Sequence, residues 1–253
     1  MFNPITPRIE KLAQLFPRAI SESESIFDKP TNIYIDWQNV IHWQEKLGWH
    51  FQLERMRQLF GSFDTIKSIK IYTGTFKGDQ QSEEQIRKLQ NLGYDVSTKL
   101  VKLMKISIDV SSIPKDSPAI LKSFIKKSLL SKLDIQTIEY LNNKLSFLNK
   151  QGMLYIEEPK CNFDVEIGRD IQKDFESGKV DNYILWSTDS DFADPINQII
   201  NDGKKVIIFA TSGKVSPELD ATGAFVFDIK KIREFICWAR EIPQDIKDKI
   251  SSL

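Results

Sequence analysis

Apolar runs alternate with amphipathic segments along most of this chain of 253 residues. Short runs rich in β-branched and aromatic residues predict buried strands, and segments with apolar residues at helical spacing predict helices. The predicted strands are 32–36, 66–72, 94–101, 152–157, 183–187, 206–210 and 224–227. The predicted helices are 7–16, 40–47, 53–61, 82–92, 163–176, 191–201 and 229–239. Strands that alternate with helices predict an α/β fold with a three-layer, doubly wound and mostly parallel sheet.

One segment, 104–150, interrupts this alternation and contains two predicted helices rich in Lys, Leu and Phe. We interpret it as a helical insertion within a main domain that spans 31–240. Residues 1–30 are predicted to be a leader helix and a polar linker at 21–25, and 241–253 a tail helix. The insertion carries a basic face, which is either a solvated helix surface or a lid that contacts phosphates. Its lysines are Lys122, Lys126, Lys127 and Lys132.

Charge and composition exclude several classes of protein. The 35 basic and 35 acidic residues balance, so the chain is not a general polycation, and polyanion binding must come from local patches or a bound metal. Two histidines and two distant cysteines argue against a zinc site or a disulfide framework. No signal peptide and no apolar run of membrane-spanning length are visible. We therefore expect a reduced cytoplasmic protein with no membrane partner, and its oligomeric state, including a homodimer, stays open.

Acidic residues follow several predicted strands. Asp36 ends the first strand, with Asn39 shortly after it, and Asp189 and Asp191 follow the strand 183–187. Asp164 opens the helix between the insertion and that strand. Ligands of open α/β sheets bind at the carboxyl ends of the strands, so these carboxylates are expected to meet. Each of them alone could equally be a helix cap or turn residue.

A cluster of carboxylates without His or Cys favours a hard cation, because like charges resist ionising together unless a cation neutralises them. Oxygen ligands select Mg²⁺, Mn²⁺ or Ca²⁺ over zinc. A Mg²⁺ ion held this way keeps several waters and can activate one of them for phosphodiester hydrolysis. The sequence therefore predicts a metal site with hydrolytic chemistry.

Five stretches of the chain together resemble the NYN domain, a branch of the PIN-like ribonuclease superfamily. The resemblance covers roughly 32–102 and 152–236, and the joint pattern is specific although each piece alone is not. Two family glycines are replaced here, by Cys161 and by Thr188, which adds side chains where the backbone would approach a substrate. The stretches are 34–39 (YIDWQN), 160–170 (KCNFDVEIGRD), 183–192 (YILWSTDSDF), 203–206 (GKKV) and 225–229 (FVFDI).

The resemblance implies a metal-dependent endoribonuclease that acts on RNA with Mg²⁺ or Mn²⁺. It implies that one set of aspartates is both catalytic and metal-binding, namely Asp36, Asp164, Asp189 and Asp191. Asn39, Lys160 and Ser187 would contact the substrate. Asp170 lies about 240° round the helix from Asp164, which favours a supporting or structural role for it.

The same residues allow other interpretations of the function. Haloacid-dehalogenase phosphatases need an Asp two positions after the first one, where this chain has Gln38. No glycine-rich phosphate loop is present, which argues against NAD or ATP. The aromatic stretch around His42, Trp43 and His50 predicts ordinary packing, with stacking on single-stranded bases as the alternative. The rival to an enzyme is a non-catalytic RNA- or protein-binding regulator that keeps the fold.

Overall fold

The computed structural model describes residues 1–211 and 215–252. The strands of the described residues are β1 (Thr31–Asp36), β2 (Ile66–Thr75), β3 (Asp95–Leu100), β4 (Lys102–Ser107), β5 (Tyr155–Lys160), β6 (Asn182–Trp186), β7 (Lys205–Ala210) and β8 (Phe225–Asp228). Six of them form a sheet in which every neighbouring pair is parallel, with the order β3-β2-β1-β6-β7-β8. The predicted α/β class with a doubly wound parallel sheet is therefore confirmed.

Helices cover both faces of the parallel sheet. The α-helices of the described residues are α1 (Pro7–Leu15), α2 (Pro17–Ile26), α3 (Trp37–Ile41), α4 (Trp43–Leu47), α5 (Leu53–Phe60), α6 (Gln80–Asn91), α7 (Lys127–Leu130), α8 (Ile135–Lys150), α9 (Asp164–Ser177), α10 (Ala193–Asn201), α11 (Pro217–Asp220), α12 (Arg233–Ile236) and α13 (Gln244–Ser252). On one face of the sheet Ile33 and Ile35 of β1 belong to a core that includes residues of α1, α2, α5 and α12. On the other face Tyr34 packs with residues of α9 and α10.

The central strands are buried on both faces, which explains why their sequences are almost continuously apolar. All six residues of β1 and all five of β6 are buried. The chain runs outward from β1 to β2 and β3 on one side, and from β6 to β7 and β8 on the other. The boundary between β1 and β6 is therefore the topological switch point, where open parallel sheets bind their ligands.

Residues 101–160 form a second compact unit, and residues 1–100 and 161–253 form the first. The second unit contains α7, α8 and an antiparallel pair, β4 and β5, around a small core of Leu121, Leu130 and Ile138. The strand predicted at 152–157 belongs to this pair and not to the parallel sheet. All six residues of β5 are exposed, unlike those of the central strands β1 and β6.

Several local predictions differ from the structure. The prediction of a polar linker at 21–25 is wrong, because this stretch is helical and lies in α2. Pro17 occupies the first turn of α2, and the buried hydroxyl of Ser23 donates to the Ala19 carbonyl. The helix predicted at 40–47 is two short helices, α3 and α4, which meet at His42. No helix among the described residues combines the length and the apolar character needed to cross a membrane.

Candidate metal centre

Asp36 stands at the switch point, as the last residue of β1, and only 7 % of it is exposed. Its Oδ1 accepts a hydrogen bond from the backbone N–H of Asn39 at 3.3 Å, which caps α3. The hydroxyl of Ser187, which directly follows β6, donates to Asp36 Oδ2 at 3.5 Å. The carboxylate is thus fixed by the helix that follows its own strand and by the residue that follows β6.

Three further carboxylates converge in the same unit. Asp164 is the first residue of α9, Asp189 is the N-cap of the 3₁₀ turn Ser190–Phe192, and Asp191 lies within that turn. One carboxylate oxygen from each of the three lies within 4.8 Å of the others. Asp36 is not a member of this triple, although the charges of Asp164 and Asp189 act on it.

The capping alternative is correct for two of the aspartates and wrong for a third. Asp36 caps α3, and Asp189 Oδ1 accepts from the Asp191 N–H at 3.2 Å. Asp164 caps nothing: its own N–H donates to Asn162 Oδ1 at 2.8 Å, and the N-cap position of α9 is Phe163, which makes no side-chain cap. The Asp164 carboxylate is therefore available to the cluster.

The electrostatics of the site oppose its ionisation. Burial, with smaller contributions from the charges of Asp164 and Asp189, raises the pKa of Asp36 to about 6, against the hydrogen bonds from Asn39 and Ser187 that lower it. Burial, together with the charges of Asp189 and Asp191, also raises the pKa of Asp164. A bound cation would relieve both effects. Because every donor is a carboxylate oxygen, the residues present fit a hard divalent ion such as Mg²⁺ or Mn²⁺.

Asn39 connects the two strand ends. Its Oδ1 accepts from the Trp43 indole N–H at 3.1 Å, from the Thr188 N–H at 3.3 Å and from the Thr188 hydroxyl at 3.4 Å. The side-chain nitrogen of Asn39 has no hydrogen-bond partner among the residues that the structure describes. The amide is therefore oriented with its donor group free for a ligand.

The remaining predicted residues separate into two groups. Ser187 is buried at the site, where it also accepts from the Asp189 N–H at 3.3 Å. Lys160 is the exposed last residue of β5 and belongs to the second unit. Asp170 accepts from the Tyr72 hydroxyl at 2.9 Å and lies outside the triple, in keeping with the supporting or structural role expected for it.

Two polar groups near the sheet were not identified from the sequence. Lys99, close to the end of β3, pairs with Glu166 at 2.8 Å and lies 4.8 Å from the centre of the Phe163 ring. Asp174 of α9 accepts from Asn32, Tyr34 and Lys70. The position of Lys99 at a carboxyl strand end was a usable signal. The partners of Asp174 could not be deduced, because they are set by the register of α9 on the sheet.

Comparison with known proteins agrees with the later part of the motif pattern, and the stretch that contains Asp36 and Asn39 lies outside the family match. The NYN domain model matches residues 120–230, which include Asp164, Asp189 and Asp191 as well as part of the second unit. The low amplitude and bright protein LabA of Synechococcus elongatus is 26% identical over 206 residues, which are 81% of this chain and 86% of that protein. A crystal structure of a protein of unknown function from Vibrio parahaemolyticus has a TM-score of 0.49 at 18% identity and covers 81% of this chain and 94% of its own. The chain is therefore similar to the NYN domain over residues 120–230.

Proposed function

We propose that this protein is a metal-dependent endoribonuclease. The observation that carries the proposal is the convergence of Asp164, Asp189 and Asp191 within 4.8 Å beside the buried Asp36, in a domain of a nuclease superfamily. NYN-domain proteins generally bind RNA, and RNA is therefore the substrate that we propose. The set Asp36, Asp164, Asp189 and Asp191 would be the catalytic and metal-binding residues.

The three converging carboxylates would hold Mg²⁺ or Mn²⁺, and Asp36 would complete the ligand set from the other strand end. The bound ion supplies charge stabilisation at the phosphate and lowers the pKa of water. Ser187 keeps Asp36 oriented through its hydroxyl. The free amide nitrogen of Asn39 is a donor that would contact a non-bridging phosphate oxygen. Lys160 stays a predicted substrate contact on the second unit.

A non-catalytic RNA-binding regulator is the second candidate, because the charge of the second unit favours RNA binding without requiring cleavage. Residues 101–160 contain ten lysines and no arginine against six acidic residues, whereas the rest of the chain has 25 basic and 29 acidic residues. The two parts thus carry net charges of +4 and −4 although the whole chain is neutral. A basic unit of this kind would attract RNA whether or not the aspartates cleave it.

Cleavage assays decide between the two candidates. The purified protein should cut single-stranded RNA of mixed sequence with Mg²⁺ or Mn²⁺, and EDTA should abolish the activity. A variant with Asn at positions 36, 164, 189 and 191 is the control, because it keeps the shapes and removes the charges. Cleavage that persists in EDTA or in this variant would contradict the mechanism. RNA binding without cleavage would support the regulator.

We place the protein in the cytoplasm, since both cysteines are free thiols.

A further inference from the structure

A small cavity borders Thr188, the residue that precedes the acidic turn of the candidate metal centre. Its volume is about 100 Å³, and the described residues that line it are Trp43, Lys46, Leu47, Thr188 and Thr211. Thr188 directly precedes Asp189, so the cavity and the acidic cluster are adjacent along the chain. None of the lining residues belongs to the set of aspartates, and the proposed hydrolysis assigns them no role.

The cavity is formed by three elements that meet at the carboxyl ends of the strands. Thr188 follows β6, Thr211 follows β7, and the other three residues belong to α4. The Trp43 indole N–H and both donors of Thr188 bond to the same oxygen of Asn39. The Trp43 ring is therefore held in place by the residue that also faces the metal site.

The chemistry of the lining suits a flat aromatic ring with polar edges. The indole of Trp43 offers a stacking surface, and bases stack on aromatic side chains irrespective of their sequence. The Thr188 hydroxyl donates to Asn39 and keeps lone pairs free to accept from a base edge. Lys46 is exposed and can pair with a neighbouring phosphate. Pockets that enclose a whole drug-sized ligand have about 300 Å³ or more, so this cavity would take one base and leave the sugar and phosphate outside.

We propose that this cavity is a base-binding subsite, which receives the nucleotide next to the phosphate held at the aspartates. The inference rests on the proposed function for its choice of RNA as the ligand. Trp43 is the stacking platform and Thr188 is the specificity-determining residue, because its side chain borders the cavity and anchors Asn39 at once.

The test measures RNA binding without cleavage. Full-length protein with Asp189→Asn, in EDTA, is titrated with short labelled oligomers of A, C, G or U, and affinity is followed by fluorescence anisotropy. Adding Trp43→Ala should weaken binding of the preferred oligomer on the order of tenfold, the effect of losing one stacked base. Trp43→Phe should lose less, because it keeps an aromatic face. Thr188→Gly should change the order of preference among the four oligomers.

Trp238→Ala is the matched control, since Trp238 is a half-buried tryptophan that stacks on His50 and does not line the cavity. Thermal melts identify any variant that is misfolded, and Trp43→Phe then carries the test. Unchanged affinity and base preference in the Trp43 and Thr188 variants would overturn the subsite, as would an equal loss in Trp238→Ala or no RNA binding by the Asp189→Asn parent. Cleavage by the unmodified protein is scored separately, so an inactive protein that binds through Trp43 refutes only the proposed hydrolysis.

Discussion

The Asp189 carboxylate accepts a hydrogen bond from the backbone N–H of Asp191 at 3.2 Å, while one oxygen of each side chain lies within 4.8 Å of the other and of Asp164. A single turn thus satisfies its own backbone and delivers two negative charges to one point. A carboxylate that caps a turn keeps a second oxygen for another ligand. Capping and metal binding are therefore compatible roles at this position.

Replacing Asp189 with Asn should stabilise the metal-free protein, by on the order of 1 kcal/mol. The substitution removes one charge from a repelling cluster, and Asn caps nearly as well as Asp. The same variant should lose most of the rise in melting temperature that Mn²⁺ gives the parent by binding the native state. Thermal melts of both proteins, each in EDTA and in Mn²⁺, measure the two effects.

Asp228→Asn is the control for this experiment. Asp228 caps the 3₁₀ turn that follows β8, where its Oδ1 accepts from the Lys230 N–H at 3.0 Å, and it is not part of the acidic triple. Its replacement should leave the Mn²⁺ shift intact. A variant at position 189 that melts no higher in EDTA and keeps the full Mn²⁺ shift would remove Asp189 from the metal site.

Ionisation of Asp36 should lower the stability of the metal-free protein as the pH rises from about 4 to about 6. The folded pKa of Asp36 is raised to about 6, mainly by burial, and the unfolded value is about 3.9. Between these values the folded state keeps a proton that the unfolded state releases, so rising pH favours unfolding. Asp36→Asn lacks this group and should therefore be more stable than the parent at pH 7 by about 2 to 3 kcal/mol, relative to their difference at pH 4. Denaturant titrations of both proteins across this range give the difference, and parallel curves would show that Asp36 ionises normally.

The central strands and the sheet class were predictable because burial on both faces imposes apolar runs. β1 and β6 are examples, since every residue of both is buried. β4 was not predicted, because lysines interrupt its short apolar run and most of its residues are exposed. The helix α2 was missed because its serines and glutamates read as a linker, although its buried side includes Ile20, Ser23 and Ile26.

Of the four carboxylates that the sequence predicted to meet, Asp164, Asp189 and Asp191 form one cluster. Asp189 and Asp191 follow a strand of the parallel sheet, whereas Asp164 opens α9 after the antiparallel β5. The sequence could not predict that Asp36 is outside the triple, nor that Asn39 is oriented by Trp43 and Thr188. These facts depend on side-chain hydrogen bonds across three elements. Trp43 was expected to pack as a core residue, and it both contacts the core and lines the cavity.

Reversing three lysines of the second unit, Lys122, Lys126 and Lys127, to Glu should weaken RNA binding and flatten its dependence on salt. Each phosphate contact that is lost removes counterion release from the binding equilibrium. Folding should change little, because exposed lysines contribute little to stability. Anisotropy titrations at several salt concentrations measure both the affinity and the slope.

The matched control reverses Lys29, Lys67 and Lys179, which are exposed and lie at the amino-terminal ends of the parallel strands, away from the aspartates. Both triple variants make the same change in net charge. A slope that falls equally in both would assign the effect to total charge, and an unchanged slope in the first variant would remove the second unit from the RNA interface.

Replacing Asp174 with Ala should destabilise the fold without changing the metal site. Asp174 accepts from Asn32 at 2.8 Å, from the Tyr34 hydroxyl at 2.6 Å and from Lys70 at 2.8 Å. Burial alone would raise its pKa, but the hydrogen bonds from Lys70, Tyr34 and Asn32 outweigh burial and lower the pKa of Asp174. The side chain of Lys70 is only 14% exposed, so the substitution leaves a poorly solvated ammonium without its carboxylate, at a cost of about 3 kcal/mol. The variant should melt lower than the parent at neutral pH and still show the full Mn²⁺ shift.

The double variant Lys70→Met with Asp174→Leu is the control. It should recover part of the lost stability, because both charges are removed together. A diminished Mn²⁺ shift in a folded Asp174→Ala protein would mean that this network supports the metal site through α9 and does more than hold α9 on the sheet.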